Sequence, residues 1–464
     1  MKRWVERIHF TGIGGIGMSG IAEVLHNQGF EVQGTDVAEN ANVRRLRELG
    51  VRVEIGHARG RLGQAQVVVY SSAVSPDNPE LEEARERGVP VIPRAEMLAE
   101  LMRMKQGVAV AGSHGKTTIT SLIAHGMETA GLDPTYVIGG RLMAGGANAR
   151  LGESPWLVAE ADESDGSFLR LAPTMAVVSN IDPEHLDHYG DFARLLEAFR
   201  QFVASVPFYG RVVLHHEHPN VALLRDELHR PTVTYGRSPQ ADLHILDSRP
   251  EACDDGRPGQ RFAVGLAGGG ELGEFFLPMP GGHNAENALA AMAVLRELGV
   301  DTGTIARALA SFSGIQRRFQ CARAGSGMLV DDYAHHPREI MATLATARAC
   351  WPGEPLAVLF QPHRYTRSRD LMDEFLGAFD EAAEVALLPI HAAGEAPISG
   401  VTHEAMAAGM RQRGHRHVTA LADMDEGREL ARRLLADGRV VLLLGAGSIG
   451  GLAAELRDAR EAGA

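Results

Sequence analysis

Short apolar runs recur along the chain, and most lead through a glycine turn into apolar residues at three- and four-residue spacing. That alternation predicts strands feeding helices, the pattern of a parallel α/β fold. Arg7–Thr11, Glu31–Asp36, Gln66–Ser72 and Val89–Pro93 read as strands of a first unit, with a helix carrying Ile21, Val24 and Leu25 after the first. The pattern resets near Leu101–Gln106. Val108–Ala111 then reads as a buried strand, followed by a helix carrying Ile119, Leu122, Ile123 and Met127. Runs beginning at Trp156 and Met175 predict two further strands, each leading into acidic residues. Asp242–Asp247, Gln260–Leu266 and Gly273–Leu277 predict strands of a hairpin insert, with Glu251–Gln260 as a polar loop. Asn284 reads as the N-cap of a helix carrying Ala288, Leu289, Met292, Val294 and Leu295. After Phe312–Gly314 a third unit begins, with strands from Leu329, over Leu356–Phe360 and over Val440–Leu444. One helix there is expected to carry Leu371, Phe375 and Phe379.

Length changes this picture little: 464 residues suit about three domains. Charge changes it more. A net charge of −13 argues against nonspecific nucleic-acid binding but leaves room for anionic small molecules held by local groups. The chain shows no apolar run of membrane-spanning length and no signal-peptide pattern, so a cytoplasmic location without membrane insertion is expected. Three widely spaced cysteines, Cys253, Cys321 and Cys350, form neither a metal motif nor a disulfide framework. Lysine is scarce: only Lys2, Lys105 and Lys116 occur, so chemistry that requires lysine must draw on these.

Candidate chemistry concentrates after three strands. Gly112-Ser113-His114-Gly115-Lys116-Thr117-Thr118 joins strand to helix as a shortened phosphate loop, in which backbone N–H groups, the Lys116 charge and the Thr117 hydroxyl suit a nucleotide and Mg²⁺. Gly12-x-Gly14-Gly15-x-Gly17, with Asp36 ending the next strand, matches a dinucleotide fingerprint. Physically it specifies a diphosphate at a helix N-terminus with an acid placed for a ribose hydroxyl, which NAD and UDP-linked compounds satisfy equally. Glu160-Ala-Asp162-Glu163-Ser-Asp165 and Asn180-Ile-Asp182-Pro-Glu184-His185 fall beyond strand ends, on the edge where ligands bind in such sheets. His215-His216-Glu217-His218 has metal-ligand residue types but reads as a surface turn after a strand. Ile315–Gln320 reads as a basic patch. A second glycine fingerprint, Gly445-x-Gly447-x-x-Gly450, leaves too little chain for a βαβ unit of about 30 residues and reads as a tight turn.

Taken together these motifs resemble the Mur ligases of bacterial cell-wall synthesis over essentially the whole chain. The resemblance rests on Gly12–Ser19, Gly112–Thr118, Glu160–Asp165, His185 in its Asn-Ile-Asp-Pro-Glu-His setting, His283-Asn284, Arg317-Arg-Phe319, Asp331–Pro337 and Gln361–Arg367. It implies an α/β fold of three domains: a Rossmann-like N-terminal domain (1–104), a central P-loop ATPase-like domain (105–314) and a Rossmann-like C-terminal domain (315–464). It implies ATP-dependent joining of L-alanine to UDP-N-acetylmuramate through an acyl phosphate, with Mg²⁺ as cofactor, by a monomer or weak homodimer. The murein tripeptide-recycling ligase of the same family is the nearest alternative, and an NAD-dependent oxidoreductase the alternative of another class. By the same resemblance Lys116, Glu160 and His185 are catalytic, with Thr117, Glu160 and His185 on the metal. Gly112 to Thr118, Asn284, Asn287, Arg318 and Asp332 lie at the ATP. Gly14, Gly15, Gly17, Ser19, Asp36 and Ser71 lie near the UDP group, and Tyr333, His335, His363, Arg364 and Arg367 line the substrate side of the third domain. Several members carry a carbamylated lysine after the metal-binding histidine. No lysine follows Lys116 here, so that feature is excluded.

Overall fold

The computed structural model describes residues 1, 3–71, 73–140 and 148–458. Three sheets organise it. The first contains β1 (Arg7–Thr11), β2 (Glu31–Asp36), β3 (Arg52–Ile55), β4 (Val67–Tyr70) and β5 (Val91–Pro93), in the order β3-β2-β1-β4-β5. All its pairings are parallel. β1 and β2 keep their expected bounds. The strand expected over 66–72 ends at Tyr70, and Ser72, like Lys2, lies outside the described residues. β3 escaped the sequence reading because only Val53 of its four residues is buried, so it carries no apolar run.

The second sheet is built from β6 (Gln106–Ala111), β7 (Thr135–Val137), β8 (Ala149–Arg150), β9 (Trp156–Glu160), β10 (Met175–Val178), β11 (Arg211–His215), β12 (Thr232–Gly236), β13 (Leu243–Ala252), β14 (Pro258–Leu266) and β15 (Glu271–Leu277). β6 lies between β9 and β10 and is parallel to both. The polar loop expected over 251–260 shrinks, because β13 runs to Ala252 and β14 starts at Pro258. Charged residues there are no bar to extended structure: Arg261 of β14 hydrogen-bonds Glu251 of β13 at 2.5 Å.

The third sheet holds β16 (Gln320–Ala324), β17 (Gly327–Asp332), β18 (Leu356–Phe360), β19 (Glu384–Leu387), β20 (Val418–Ala420) and β21 (Val440–Leu444), ordered β16-β17-β21-β18-β19-β20. Only β16 pairs antiparallel. The helix expected to carry Leu371 to Phe379 is broken instead into Tyr365–Asp370 and Met372–Phe375, with Leu371 (φ −112°) between them.

Contacts divide the chain into two compact units. The first comprises Met1–Asp247, Ala263–Phe275 and Glu286–Phe312, and the second Ser248–Phe262, Phe276–Ala285 and Ser313–Ala464. The division passes through β13, β14, β15 and the helix Gly282–Glu297. That helix begins two residues before Asn284, so Asn284 is not its N-cap. Its amide sits inside the first turn and donates to the Pro280 carbonyl at 2.7 Å.

Candidate active site

Everything that positions the phosphate loop follows from the central place of β6. Its neighbours run parallel, so Ala111, Glu160 and Val178 all end on one edge of the sheet. The loop then turns through two glycines with positive φ, Gly112 at 133° and Gly115 at 84°. A Cβ on Gly112 would lie 2.2 Å from Ser179 Oγ, and one on Gly115 would lie 2.6 Å from Asn287 Oδ1. Both positions therefore require glycine for conformation and for space. Asn287, expected at the ATP, thus borders the phosphate loop. Lys116 opens the helix Lys116–Thr129, whose free N–H groups and dipole favour an anion.

Asn180 clamps the loop. Its Oδ1 accepts from the His114 N–H at 2.7 Å, its Nδ2 donates to the His114 carbonyl at 3.1 Å, and its carbonyl accepts from Ser113 N–H at 3.1 Å. The Ser113 hydroxyl oxygen accepts from the Asp182 N–H at 2.9 Å. His114 Nε2 lies 3.2 Å from a Glu184 oxygen. Sequence reading assigned Asn180 no role, although an asparagine at the end of a strand beside a phosphate loop was a usable signal.

Lys116 is folded over its own loop. Its ammonium donates to the Gly112 carbonyl at 2.6 Å and lies 2.9 Å from the buried Glu163 carboxylate. Burial works against its charge, yet the surrounding carboxylates, led by Glu163, hold its pKa above the usual lysine value. Lys105 by contrast donates to the carbonyls of Gly152 and Ser154, a structural task.

Glu160 ends β9, and its Oε1 accepts from the Gly139 N–H at 2.6 Å. His185 has φ 57°, a left-handed conformation unusual for a residue with a Cβ, and starts the short helix Leu186–Tyr189. Thr117 is buried in the first turn of the helix after the loop. Thr117, Glu160 and His185 offer a hydroxyl, a carboxylate and an imidazole, donor types that could hold Mg²⁺.

The glycine loop of the first sheet is equally determined. Gly12 (φ 82°) follows β1, and a Cβ on it would meet Ser71 Cβ at 3.3 Å. The Gly14 N–H donates to Asp36 Oδ2 at 2.8 Å, and Asn42 donates to the Gly14 carbonyl at 2.7 Å. Asp36 therefore has a task within the loop itself. The Ser19 hydroxyl is buried and donates to the Ile16 carbonyl at 3.0 Å. Gly15 precedes the helix Ile16–Asn27, and Gly17 gives room to Arg94, whose Nη1 would lie 2.6 Å from a Cβ there. Arg94 also reaches Asp162 at 3.3 Å. It is a second residue that sequence reading passed over, since nothing in its local pattern marks it.

In the second compact unit the arginines separate by role. Arg317 of the basic Ile315–Gln320 segment is paired with fully buried Asp331 at 3.4 Å. Arg317 and Arg318 both lie over the Tyr333 ring, at 5.1 and 5.5 Å from its centroid. Asp332 is buried and accepts from Phe319 N–H and Ala334 N–H, each at 2.7 Å. Burial pushes its pKa up to about 6 although Arg318 opposes this. The His335 and His363 rings meet edge to face at 6.0 Å, and His363 stacks on His391 at 5.4 Å. Burial, with neighbouring His335 and Arg367, lowers the His363 pKa to about 4. Arg367 Nη1 lies 3.4 Å from His363 Nδ1. Arg364, exposed and with φ 70°, follows directly. His391 was absent from the sequence reading and is brought in only by the sheet. In the same unit His336 and Pro337 start the helix Pro337–Cys350, with Glu339 completing a capping box.

Of the His215–His218 run, His216 and Glu217 bend away after β11 at the partly exposed surface, as expected, while His215 itself still belongs to the strand. His215 ends β11 against the Tyr235 ring at 5.2 Å, and burial lowers its pKa. The second glycine fingerprint is a packing turn: a Cβ on Gly447 would lie 2.5 Å from Gln361, and one on Gly450 would lie 2.4 Å from Arg317.

These features define an α/β protein with two glycine loops, each joining a strand to a helix N-terminus, and a third sheet carrying arginines and histidines. The chain belongs to the Mur ligase family, ATP-dependent ligases that join an acid to an amino acid. Residues 7–106 match the "Mur ligase family, catalytic domain", residues 110–295 the "Mur ligase middle domain" and residues 317–447 the "Mur ligase, glutamate ligase domain". The chain is 50% identical over 461 residues to a UDP-N-acetylmuramate–L-alanine ligase of Sorangium cellulosum, covering 99% of this chain and 97% of the relative. It superposes on the UDP-N-acetylmuramate-alanine ligase of Thermotoga maritima with a TM-score of 0.83 at 28% identity, covering 99% and 100% of the two chains. A murein peptide ligase of Psychrobacter arcticus shares the fold, with a TM-score of 0.69 at 21% identity over 98% of each chain. The oxidoreductase reading of the first glycine loop gives way to this family.

Proposed function

We propose that the chain joins L-alanine to the lactyl carboxylate of UDP-N-acetylmuramate with cleavage of ATP to ADP and phosphate, in peptidoglycan precursor synthesis. The observation that carries this is 50% identity to a curated alanine-adding ligase over nearly the whole of both chains. The proposed domains are 1–104 for the UDP substrate, 105–314 for ATP and 315–464 for the amino acid and closure over ATP. The proposed location is the cytoplasm; among the described residues no helix is long and apolar enough to cross a membrane.

A carboxylate does not acylate an amine, because its oxygen leaves poorly. Transfer of the γ-phosphoryl group to the lactyl carboxylate gives an acyl phosphate and ADP. The alanine amine then attacks the acyl carbon, loses a proton, and phosphate leaves from the tetrahedral intermediate. Bringing a carboxylate to a triphosphate demands positive charge at the γ-phosphate. Lys116 and the loop N–H groups supply it, in a loop held by Asn180. Thr117, Glu160 and His185 would hold Mg²⁺, which supplies further charge neutralisation on the phosphates. The glycine loop of β1 receives the diphosphate of UDP, with Gly14, Gly15, Gly17, Ser19, Asp36 and Ser71 around it. Tyr333, His335, His363, Arg364 and Arg367 meet the substrates from the third sheet, and Asn284, Asn287, Arg318 and Asp332 serve the ATP.

The test is ADP release from UDP-N-acetylmuramate with a panel of amino acids and murein tripeptide. Alanine is expected to give the highest kcat/KM. Preference for the tripeptide assigns the chain to the recycling branch, and nicotinamide reduction without phosphate release rejects the ligase reading.

A further inference from the structure

Lys116 has three hydrogens and meets three partners. The Gly112 carbonyl lies at 2.6 Å, the Ser113 carbonyl at 3.3 Å, and Glu163 at 2.9 and 3.0 Å. Glu163 is 1% exposed, so this contact is shielded from solvent. Its backbone is fixed as well: the Glu163 carbonyl accepts from the Tyr189 hydroxyl at 2.5 Å and from the Gly166 N–H at 3.1 Å. Tyr189 belongs to the short helix that His185 begins. The carboxylate thus has a definite position, whereas the lysine stem is four flexible methylenes. A carboxylate this close must also oppose a triphosphate entering the same loop.

We propose that Glu163 is the positioning residue for Lys116: it fixes the ammonium across the phosphate loop, and the triphosphate competes with it for that charge. This rests on the reading of Gly112–Thr118 as the ATP site. Two consequences of opposite sign follow. Without the Glu163 charge, the ammonium has more to give to ground-state ATP and one repulsion is removed, so nucleotide binds more tightly. The same loss releases Lys116 from the place where it is preorganised for the charge that develops on phosphoryl transfer, so kcat falls. A Glu163 that only supported the fold would weaken binding together with stability.

The experiment measures Mg²⁺-free ATP affinity by calorimetry, steady-state kcat and KM, and thermal melting for the wild type, Glu163→Gln and Glu163→Asp. Glu163→Gln is expected to bind ATP roughly three- to tenfold more tightly, to lower KM for ATP, and to lower kcat about tenfold or more. Glu163→Asp keeps the charge on a shorter arm and is expected to restore much of kcat while binding ATP close to wild type. It also keeps the question answerable if the glutamine variant does not fold. ATP affinity that is unchanged or weaker in Glu163→Gln at wild-type melting temperature overturns the proposal, as does a kcat for Glu163→Asp no better than for a folded Glu163→Gln. A Glu163→Asp that loses ATP binding does the same where the glutamine variant cannot be read. A wild-type protein that binds no ATP overturns the ATP-site reading instead.

Discussion

At the scale of single residues, the site is built from groups whose freedom has been removed. Gly112 and Gly115 occupy left-handed backbone against Ser179 and Asn287. Gly112→Ala adds strain of about 1–3 kcal/mol to a contact of 2.2 Å, so nucleotide affinity should fall steeply in a calorimetric titration while UDP-substrate binding persists. Lys116→Ala should likewise leave UDP-substrate binding near normal and abolish phosphate release. Normal turnover in that variant would remove Lys116 from the mechanism. The lysine and glycines were legible in the sequence because each is tied to a local backbone requirement. The tasks of Glu163 and Arg94 were not, because they depend on partners 47 and 68 residues away; Asn180 offered a local signal, its place at a strand end, although its partner lies 66 residues away.

Among the elements, parallel pairing of β6 with β9 and β10 does the work of assembly. It places the phosphate loop between the Glu160 strand end and the Asn180 clamp. Asn180→Ala removes both side-chain hydrogen bonds to the His114 backbone. With about 1–3 kcal/mol for backbone groups left unpaired, ATP binding should weaken about tenfold or more while the far-UV spectrum is unchanged; an unaltered Kd would show that the clamp is dispensable. At the start of the helix Pro337–Cys350 the same His-His-Pro motif that suggested substrate contact also caps the helix. A motif expected at a ligand can therefore carry a folding role, and spacing alone does not separate the two.

For the molecule as a whole, burial of histidines ties stability to pH. Burial lowers the His283 and His363 pKa values to about 4, with Arg318 adding to the effect at His283. An unfolded histidine titrates near 6.5, so between pH 6.5 and 4 the unfolded chain binds more protons and stability falls as pH falls. Asp332, raised to about 6, acts in the opposite sense: protonation between about pH 6 and 3.8 favours the folded form. Burial lowers the His335 pKa as well, so three histidines against one aspartate predict a net loss of melting temperature of the second compact unit below pH 6.5. Replacing His363 with Asn should flatten that slope; an unchanged slope would mean that His363 is protonated in the folded protein near its ordinary pKa.

The sequence alone determined the α/β class, most strand positions, both glycine loops and the lysine economy. Each is a local property: an apolar run, a glycine at a turn, or a residue type present or absent. It misjudged Asn284 as a cap and Leu371–Phe379 as carried by one helix, and it did not foresee that β11 carries His215 to the Tyr235 ring or that Arg317 pairs with buried Asp331. The last two depend on what a distant strand or buried acid brings alongside. Tertiary structure alone decided that Asp36 holds Gly14, that Glu163 holds Lys116 and that His391 stacks on His363. The physical reason is common to all three. A hydrogen bond, an ion pair or a ring stack acts over a few ångströms, and only the folded sheets bring such distant parts of the chain that close.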